Sequence, residues 1–292
     1  MRIIPPSELI INEDGSIFHL HLQPHQLADT VVLVGDPSRV DLVASYFDKI
    51  EFEVQNREFH TITGVFHNMP ISCVSHGIGT DNIDIVLTEL DALKNIDFQS
   101  RTVKPKHTAL RLVRIGTSGG LQPFCPIGSY VVARRSVGFD GLLNYYEVPD
   151  DATDLDFERA FCRHVQWGER LAAPYVVSAD EDLVSLFKKD AMVMGVTISA
   201  PGFYGPQGRY VRIPLAFPEL NSKIESFEYH GEKITNFEME SSAVAGLSKL
   251  LGHKAVTICC IIAGRVDETM NTNYKGSMED LIQKVLRRLS DG

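Results

Sequence analysis

At 292 residues, 44% hydrophobic and 23% charged, the chain has the size and composition of one large globular domain or two small ones. Its net charge of −10 argues against a broad nucleic-acid surface, so an anion would have to be met by a local cluster of arginines acting against the overall field. No apolar stretch approaches the roughly 18 residues of a membrane span, the N-terminus has no apolar run of signal-peptide length, and the five scattered cysteines (Cys73, Cys125, Cys162, Cys259, Cys260) lack metal spacing and suit a reducing, cytoplasmic setting.

Apolar, β-branched runs alternate with helical patterns along the chain. Residues 31–34 predict a buried strand, followed by a helix over 38–47. A strand at 71–74 precedes a helix over 81–96, which places Ile83, Val86, Leu90 and Leu93 on one face. Further strands are expected at 112–115, 130–133, 193–198 and 255–263, and further helices at 157–172, 240–251 and 278–289. The last of these has Ser277 as a cap and Asp280 three residues on, a capping-box arrangement. Residues 98–110, with Arg101, Lys104, Lys106 and His107, read as an exposed basic loop, as does 146–155. The alternation predicts an α/β fold around a central sheet, and no low-complexity linker divides it, so residues 1–292 form one domain.

Several strand ends carry polar chemistry, as ligand sites of α/β folds do. Gly35-Asp36-Pro37-Ser38-Arg39 leads from a strand into a helix whose free N–H groups, with Arg39 one turn in, outline an anion site. It is neither a Walker loop nor a dinucleotide loop, and an ordinary strand–turn–helix corner has the same composition. Ser75-His76-Gly77-Ile78-Gly79-Thr80 is a second glycine turn, in which His76 could serve catalysis or structure. Arg114-Ile115-Gly116-Thr117-Ser118-Gly119-Gly120 ends a strand in a donor-rich turn. Arg114, inside an apolar run, requires an anionic partner, either a ligand or a core carboxylate. Gly202-Phe203-Tyr204-Gly205-Pro206-Gln207-Gly208-Arg209 offers a donor–acceptor amide and a planar fork two residues apart, suited to the edge of a planar heterocycle or simply to an exposed turn. Arg265 repeats the Arg114 pattern at the end of the run 255–263.

The densest signal is Asn236-Phe237-Glu238-Met239-Glu240-Ser241-Ser242-Ala243, two carboxylates at the start of an apolar helical pattern. Ionised carboxylates only accept hydrogen bonds, so such a pair suits neighbouring hydroxyls, as on a sugar. Acids at a helix start also serve the helix dipole.

In order, Phe18-His19-Leu20, Gly35 to Val40, Arg57-Glu58-Phe59, Arg114 to Thr117, Phe203 to Arg209 and Phe237 to Ser241 resemble the nucleoside phosphorylase-I family, specifically its uridine phosphorylase branch, over nearly the whole chain. The resemblance implies a mixed, barrel-like central sheet flanked by helices. It implies that Gly35, Arg39, Arg114 and Thr117 hold inorganic phosphate, with Arg57 supplied by a neighbouring subunit. Glu238, Met239 and Glu240 would hold ribose, and the neighbour's His19 would meet the 5′ hydroxyl with Phe18 packed nearby. Gln207 and Arg209 would read the uracil edge, Phe203 would pack on the ring, and Arg265 would help stabilise the leaving base. Arg114, Arg209 and Arg265 would carry the catalytic charge. The implied partners are uridine, phosphate as co-substrate, and further copies of the chain in a dimer or hexamer. No organic cofactor, nucleic acid or membrane is implied.

This chain departs from the family pattern in two places. Glu58 matches a monovalent-cation ligand, but the partnering serine position is Asn82, and the 98–110 loop is longer than in the short bacterial enzymes. The implied reaction is phosphorolysis of uridine to uracil and ribose 1-phosphate. A purine nucleoside phosphorylase would place an Asp directly after the last strand, where this chain has Ala263-Gly264-Arg265, with Asp267 two residues out of register. A hydrolytic nucleosidase would not need three arginines for phosphate, and a non-catalytic nucleoside-binding protein would not need a complete set of competent residues.

Overall fold

The β-branched run Thr30–Val34 forms strand β1, buried at every residue because it lies inside a sheet with parallel neighbours on both sides. The computed structural model describes residues 2–265 and 269–291; Asp267 lies outside them. After β1 come α1 (Pro37–Ala44), the antiparallel strands β2 (Lys49–Asn56), β3 (Phe59–Phe66) and β4 (Met69–Ser75), and α2 (Thr80–Asn95). The short strands β5 (Ile96–Asp97) and β6 (Thr102–Val103) pair with each other. The long strand β7 (Arg111–Gly120) is followed by β8 (Tyr130–Gly138), α3 (Leu155–Val165), β9 (Tyr175–Ser178), α4 (Glu181–Phe187) and β10 (Val193–Ser199). The remainder is α5 (Leu220–Ser226), β11 (Glu228–Tyr229), β12 (Glu232–Glu238), α6 (Ser241–Leu250), β13 (Lys254–Gly264), β14 (Thr269–Met270) and α7 (Lys275–Asp291). Among the described residues no helix is long and apolar enough to cross a membrane.

The sheet runs β11-β12-β10-β8-β13-β7-β1-β4-β3-β2, and β12 also pairs with β7 through Asn236↔Gly120 and Phe237↔Gly119. That contact closes β12, β10, β8, β13 and β7 into a five-stranded ring of parallel and antiparallel pairs, bearing out the expected mixed, barrel-like sheet. Strand alternation divides the packing. Val31, Leu33 and Leu112 face α2 and α6, where Ile83, Val86, Leu90, Val244 and Leu247 cover them. Val32, Val34 and Val113 face the other way, towards α1 and the apolar stripe Leu281, Ile282, Val285 and Leu289 of α7. Leu33 is fully buried, so Leu33→Ala should cost about 2–5 kcal/mol. Together α2 and α6 fix one wall of the sheet, and with it the loops at the strands' carboxyl ends.

Several boundaries differ from the sequence reading. The strand expected at 112–115 continues to Gly120, because its Gly/Ser/Thr half pairs with β13 and β12, so Thr117 lies in a strand and not in a turn. The helix expected over 157–172 stops at Val165, where Gln166 turns left-handed at φ 54. Ser277 is inside α7, which starts at Lys275, so it caps nothing; its carbonyl accepts from Tyr130. Segment 98–110 is no free loop. Arg101 donates from Nε to the Ile4 carbonyl at 2.8 Å and from Nη2 to the Pro5 carbonyl at 3.2 Å, pinning the N-terminal segment.

Candidate active site

Arg114 lies opposite Leu33 of β1 and Thr257 of β13, with only 4% of its surface exposed. A guanidinium so buried needs charge partners. Nη1 donates to Glu238 Oε2 at 2.8 Å, Nη2 donates to Glu240 Oε2, and Nε donates to His76 Nε2 at 3.2 Å. Burial opposes the arginine's charge, but the Glu240 and Glu238 carboxylates outweigh it and hold the pKa above the ordinary arginine value. Gly116 allows this arrangement: a Cβ there would sit 2.8 Å from Arg114 Nη1. Of the two alternatives weighed for Arg114, the structure shows the core carboxylates, and they are the pair singled out for ribose.

The carboxylates are held from several elements. Glu238 ends β12, and its Oε1 accepts from Ser199 Oγ at 2.6 Å and from Ser241 Oγ at 2.8 Å. Its Oε2 accepts from the Glu240 amide at 2.9 Å. Glu240 occupies the N-cap position of α6, and its Oε1 accepts from the Gly79 amide at 2.7 Å. Burial raises the Glu240 pKa, with Arg114 opposing and Glu238 adding. Met239 between them is half-buried. The acids stand at a helix start, and Glu238 accepts from its first amides, Glu240 N and Ser241 N, as well as from Ser199, Ser241 Oγ and Arg114, while Glu240 reaches a distant glycine turn. Ser199, missed from sequence, directly follows the predicted strand 193–198, and that strand-end position was its only signal.

The other expected anion-site residues lie at the β1–α1 corner and on β7, and among the described residues none of them hydrogen-bonds to the Arg114 side chain. Gly35 follows β1, Asp36 caps α1 by accepting from Ser38 N at 2.9 Å, and Arg39 is half-buried one turn along. Thr117 is half-buried on β7, three residues beyond Arg114. His76 is fully buried, and burial followed by Arg114's charge holds its pKa well below the ordinary histidine range.

The base-edge candidates form a second cluster. Gln207 is 3% exposed in a short 3-10 turn, while Phe203 (47%) and Tyr204 (60%) beside it are exposed, so the segment is an exposed turn with one buried amide. Its Oε1 accepts from Arg209 Nη1 at 2.6 Å, and its carbonyl accepts from Arg265 Nη2 at 2.9 Å. The Arg209 guanidinium lies 3.8 Å from the centroid of the Phe203 ring, a cation–π stack. Burial, and then the charge of Arg265, lower the Arg209 pKa to about 10. Arg265 donates its amide to the Gly120 carbonyl at 2.8 Å, and its side chain lies over Gly119, the partner of Phe237. The two clusters are thus joined through β7 and β12.

The structure does not bring His19 and Arg57 to this centre. His19 Nδ1 meets Glu89 Oε1 at 2.6 Å, and Arg57 lies 5.8 Å from the Phe18 ring centroid. The two share one surface patch with Phe18, and among the described residues neither hydrogen-bonds to Arg114, Glu238 or Glu240. Next to Arg57, Glu58 Oε1 accepts from Asn82 Nδ2 at 3.4 Å, so the residue at the family's serine position donates to the carboxylate that matches the family's cation ligand.

A model of the phosphorylase superfamily matches residues 29–291. The chain belongs to that superfamily. It is 29% identical over 263 residues to the uridine phosphorylase of Thermococcus kodakarensis, covering 87% of this chain and 79% of that one. It is 25% identical over 284 residues to the uridine phosphorylase of Escherichia coli, covering 94% and 99%. It also superposes on the nucleoside phosphorylase of Trypanosoma brucei, whose crystal structure shows uridine phosphorylase activity, with a TM-score of 0.88, 29% identity and coverage of 97% and 100%. In this chain Arg114 is on β7, and Glu238 and Glu240 stand at the end of β12 and the start of α6, next to the β12–β7 pairing that closes the sheet.

Proposed function

We propose that this chain is a uridine phosphorylase, catalysing uridine plus phosphate to uracil plus ribose 1-phosphate, reversibly. The observation that carries it is the buried Arg114–Glu238–Glu240 centre, joined through β7 and β12 to the Gln207–Arg209–Arg265 cluster. Breaking the glycosidic bond builds positive charge on ribose and negative charge on the base. Phosphate held by Gly35, Arg39, Arg114 and Thr117 is both nucleophile and counter-charge to the ribose, so no protein nucleophile is needed. The arginines contribute orientation and a preorganised field. Glu240 and Glu238 accept the ribose hydroxyls, with Met239 packing beside them. Arg209, Gln207 and Arg265 donate to the uracil edge as it takes the bonding electron pair, which favours the transition state over the substrate.

The active unit in this reading is an oligomer, dimer or hexamer. The His19–Phe18–Arg57 patch, remote in its contacts from its own Arg114, is suited to complete a neighbour's site. The test is release of free base from uridine and from inosine, each with and without phosphate. Phosphate-dependent cleavage of uridine alone is expected. Cleavage of inosine would overturn the base assignment, and cleavage without phosphate would overturn the arginine site.

A further inference from the structure

The reading above gives His76 no task, yet Arg114 donates to it. A guanidinium Nε–H can only donate, so His76 Nε2 must be the bare nitrogen and the ring proton sits on Nδ1. Nδ1 is buried beside the Gly77 backbone. The ring is neutral and fully buried, and it takes the guanidinium's Nε, while Nη1 and Nη2 go to the carboxylates and Nη1 also approaches Cys259 Sγ at 3.8 Å. A planar guanidinium held at Nη1 and Nη2 alone can still tilt about its long axis; a third contact at Nε fixes the plane.

We propose that His76 is a positioning residue. As a neutral acceptor on Arg114 Nε, it sets the plane in which Arg114 serves phosphate and the two ribose carboxylates together. The inference rests on the uridine phosphorylase reading. The charged groups around the ring agree with its being neutral. Arg114 of β7 and Arg39 of α1 both oppose a second positive charge. Glu238 and Glu240 of β12 and the α6 start are already engaged by Arg114. The Gly77 backbone beside the ring works the other way and is outweighed by burial. Were the ring protonated, Nε2–H would face Nε–H, donor against donor.

The experiment compares the full chain carrying His76→Leu or His76→Gln with wild type, reading inorganic phosphate binding by calorimetry, KM for phosphate and uridine separately, and the melting temperature. Leu removes the acceptor, and Gln restores one. We expect His76→Leu to bind phosphate about 10-fold more weakly or worse, and His76→Gln to stay within about 3-fold of wild type, as the loss of an acceptor to a charged donor predicts. Equal losses in both variants, or unchanged phosphate binding in His76→Leu, would overturn the proposal. If His76→Leu fails to fold, His76→Met makes the same comparison. Sulfate, whose charge does not titrate over the range used, should bind wild type without a step through the ordinary histidine range. A step there that His76→Gln abolishes would overturn the neutral ring. Phosphate binding needs no nucleoside. A wild type that binds phosphate but leaves uridine intact therefore fails the function reading alone, and unchanged binding in an active His76→Leu fails this inference alone.

Discussion

Ser199 and Glu238 end neighbouring parallel strands at the same level, and the serine hydroxyl donates to Glu238 Oε1 at 2.6 Å. The same hydroxyl oxygen accepts from the Ser242 amide at 2.8 Å, so one side chain fastens β10, the Glu238 carboxylate and the first turn of α6. Ser199→Ala removes a bond to a charged acceptor and leaves a buried amide unpaired. We predict a loss of about 1.5–3 kcal/mol of stability, read by urea unfolding, with KM for uridine raised and KM for phosphate little changed.

Arg114→Ala leaves two carboxylates buried without their cation. The expected cost is about 3–5 kcal/mol in unfolding free energy, with phosphate use crippled. Arg114→Lys should not restore phosphate affinity, because an ammonium cannot span Glu238, Glu240 and His76 in one plane. Near-normal phosphate affinity in Arg114→Ala would remove this residue from the site.

Glu240 gives a pH signature with opposite signs for stability and binding. Its native pKa is raised by burial, so between the ordinary carboxylate value and the raised one the folded chain holds a proton that the unfolded chain has released. Its contribution to stability is therefore greatest at low pH and declines as pH rises through that window. Ribose binding needs the ionised form, so KM for uridine should climb as pH falls through the same window. Glu240→Gln should abolish both trends, measured by unfolding and initial-rate series across acid pH.

Arg209 sets an alkaline limit. With its pKa near 10, uridine use should fall as pH rises through that value. Arg265→Gln removes the neighbouring positive charge and should move the limb upwards, whatever it does to the maximum rate. A limb that stays in place would mean that it comes from another group, the uridine N3–H included, and not from Arg209.

Gly208 has φ +70, and a Cβ there would meet Asn221 Nδ2 at 2.2 Å. Gly208→Ala should displace the turn that aims Gln207 and Arg209, raising KM for uridine at least about 10-fold while calorimetric phosphate binding stays unchanged.

Residues with strong local patterns were legible from sequence. The β1–α1 corner, the α2 stripe and the α6 helix all follow from periodicity and turn chemistry that agree with their tertiary setting. The second half of β7 was not, because glycine and serine read as a turn until partner strands satisfy their backbone. The β2–β3 hairpin was missed because β2 carries charge at a sheet edge, with only alternate residues half-buried. At the site, Arg114 was suspect from its apolar surroundings alone. That its partners would be Glu238 and Glu240, more than a hundred residues away, was not visible from the strand itself. His76 was legible only as an ambiguity, since a lone histidine in a glycine turn does not announce the arginine above it.

The β12–β7 contact that closes the sheet joins residues 236 and 237 to 120 and 119. During synthesis, then, a chain halted before residue 232 lacks both β12 and β13, so β7, β8 and β10 each keep an edge with unmet hydrogen bonds, and it has neither of the acids proposed to hold a sugar. Catalytic competence cannot accumulate gradually as the polypeptide lengthens: it arrives with the last third of the molecule, and until then those edges are the surfaces a chaperone, or another unfinished copy, would meet first.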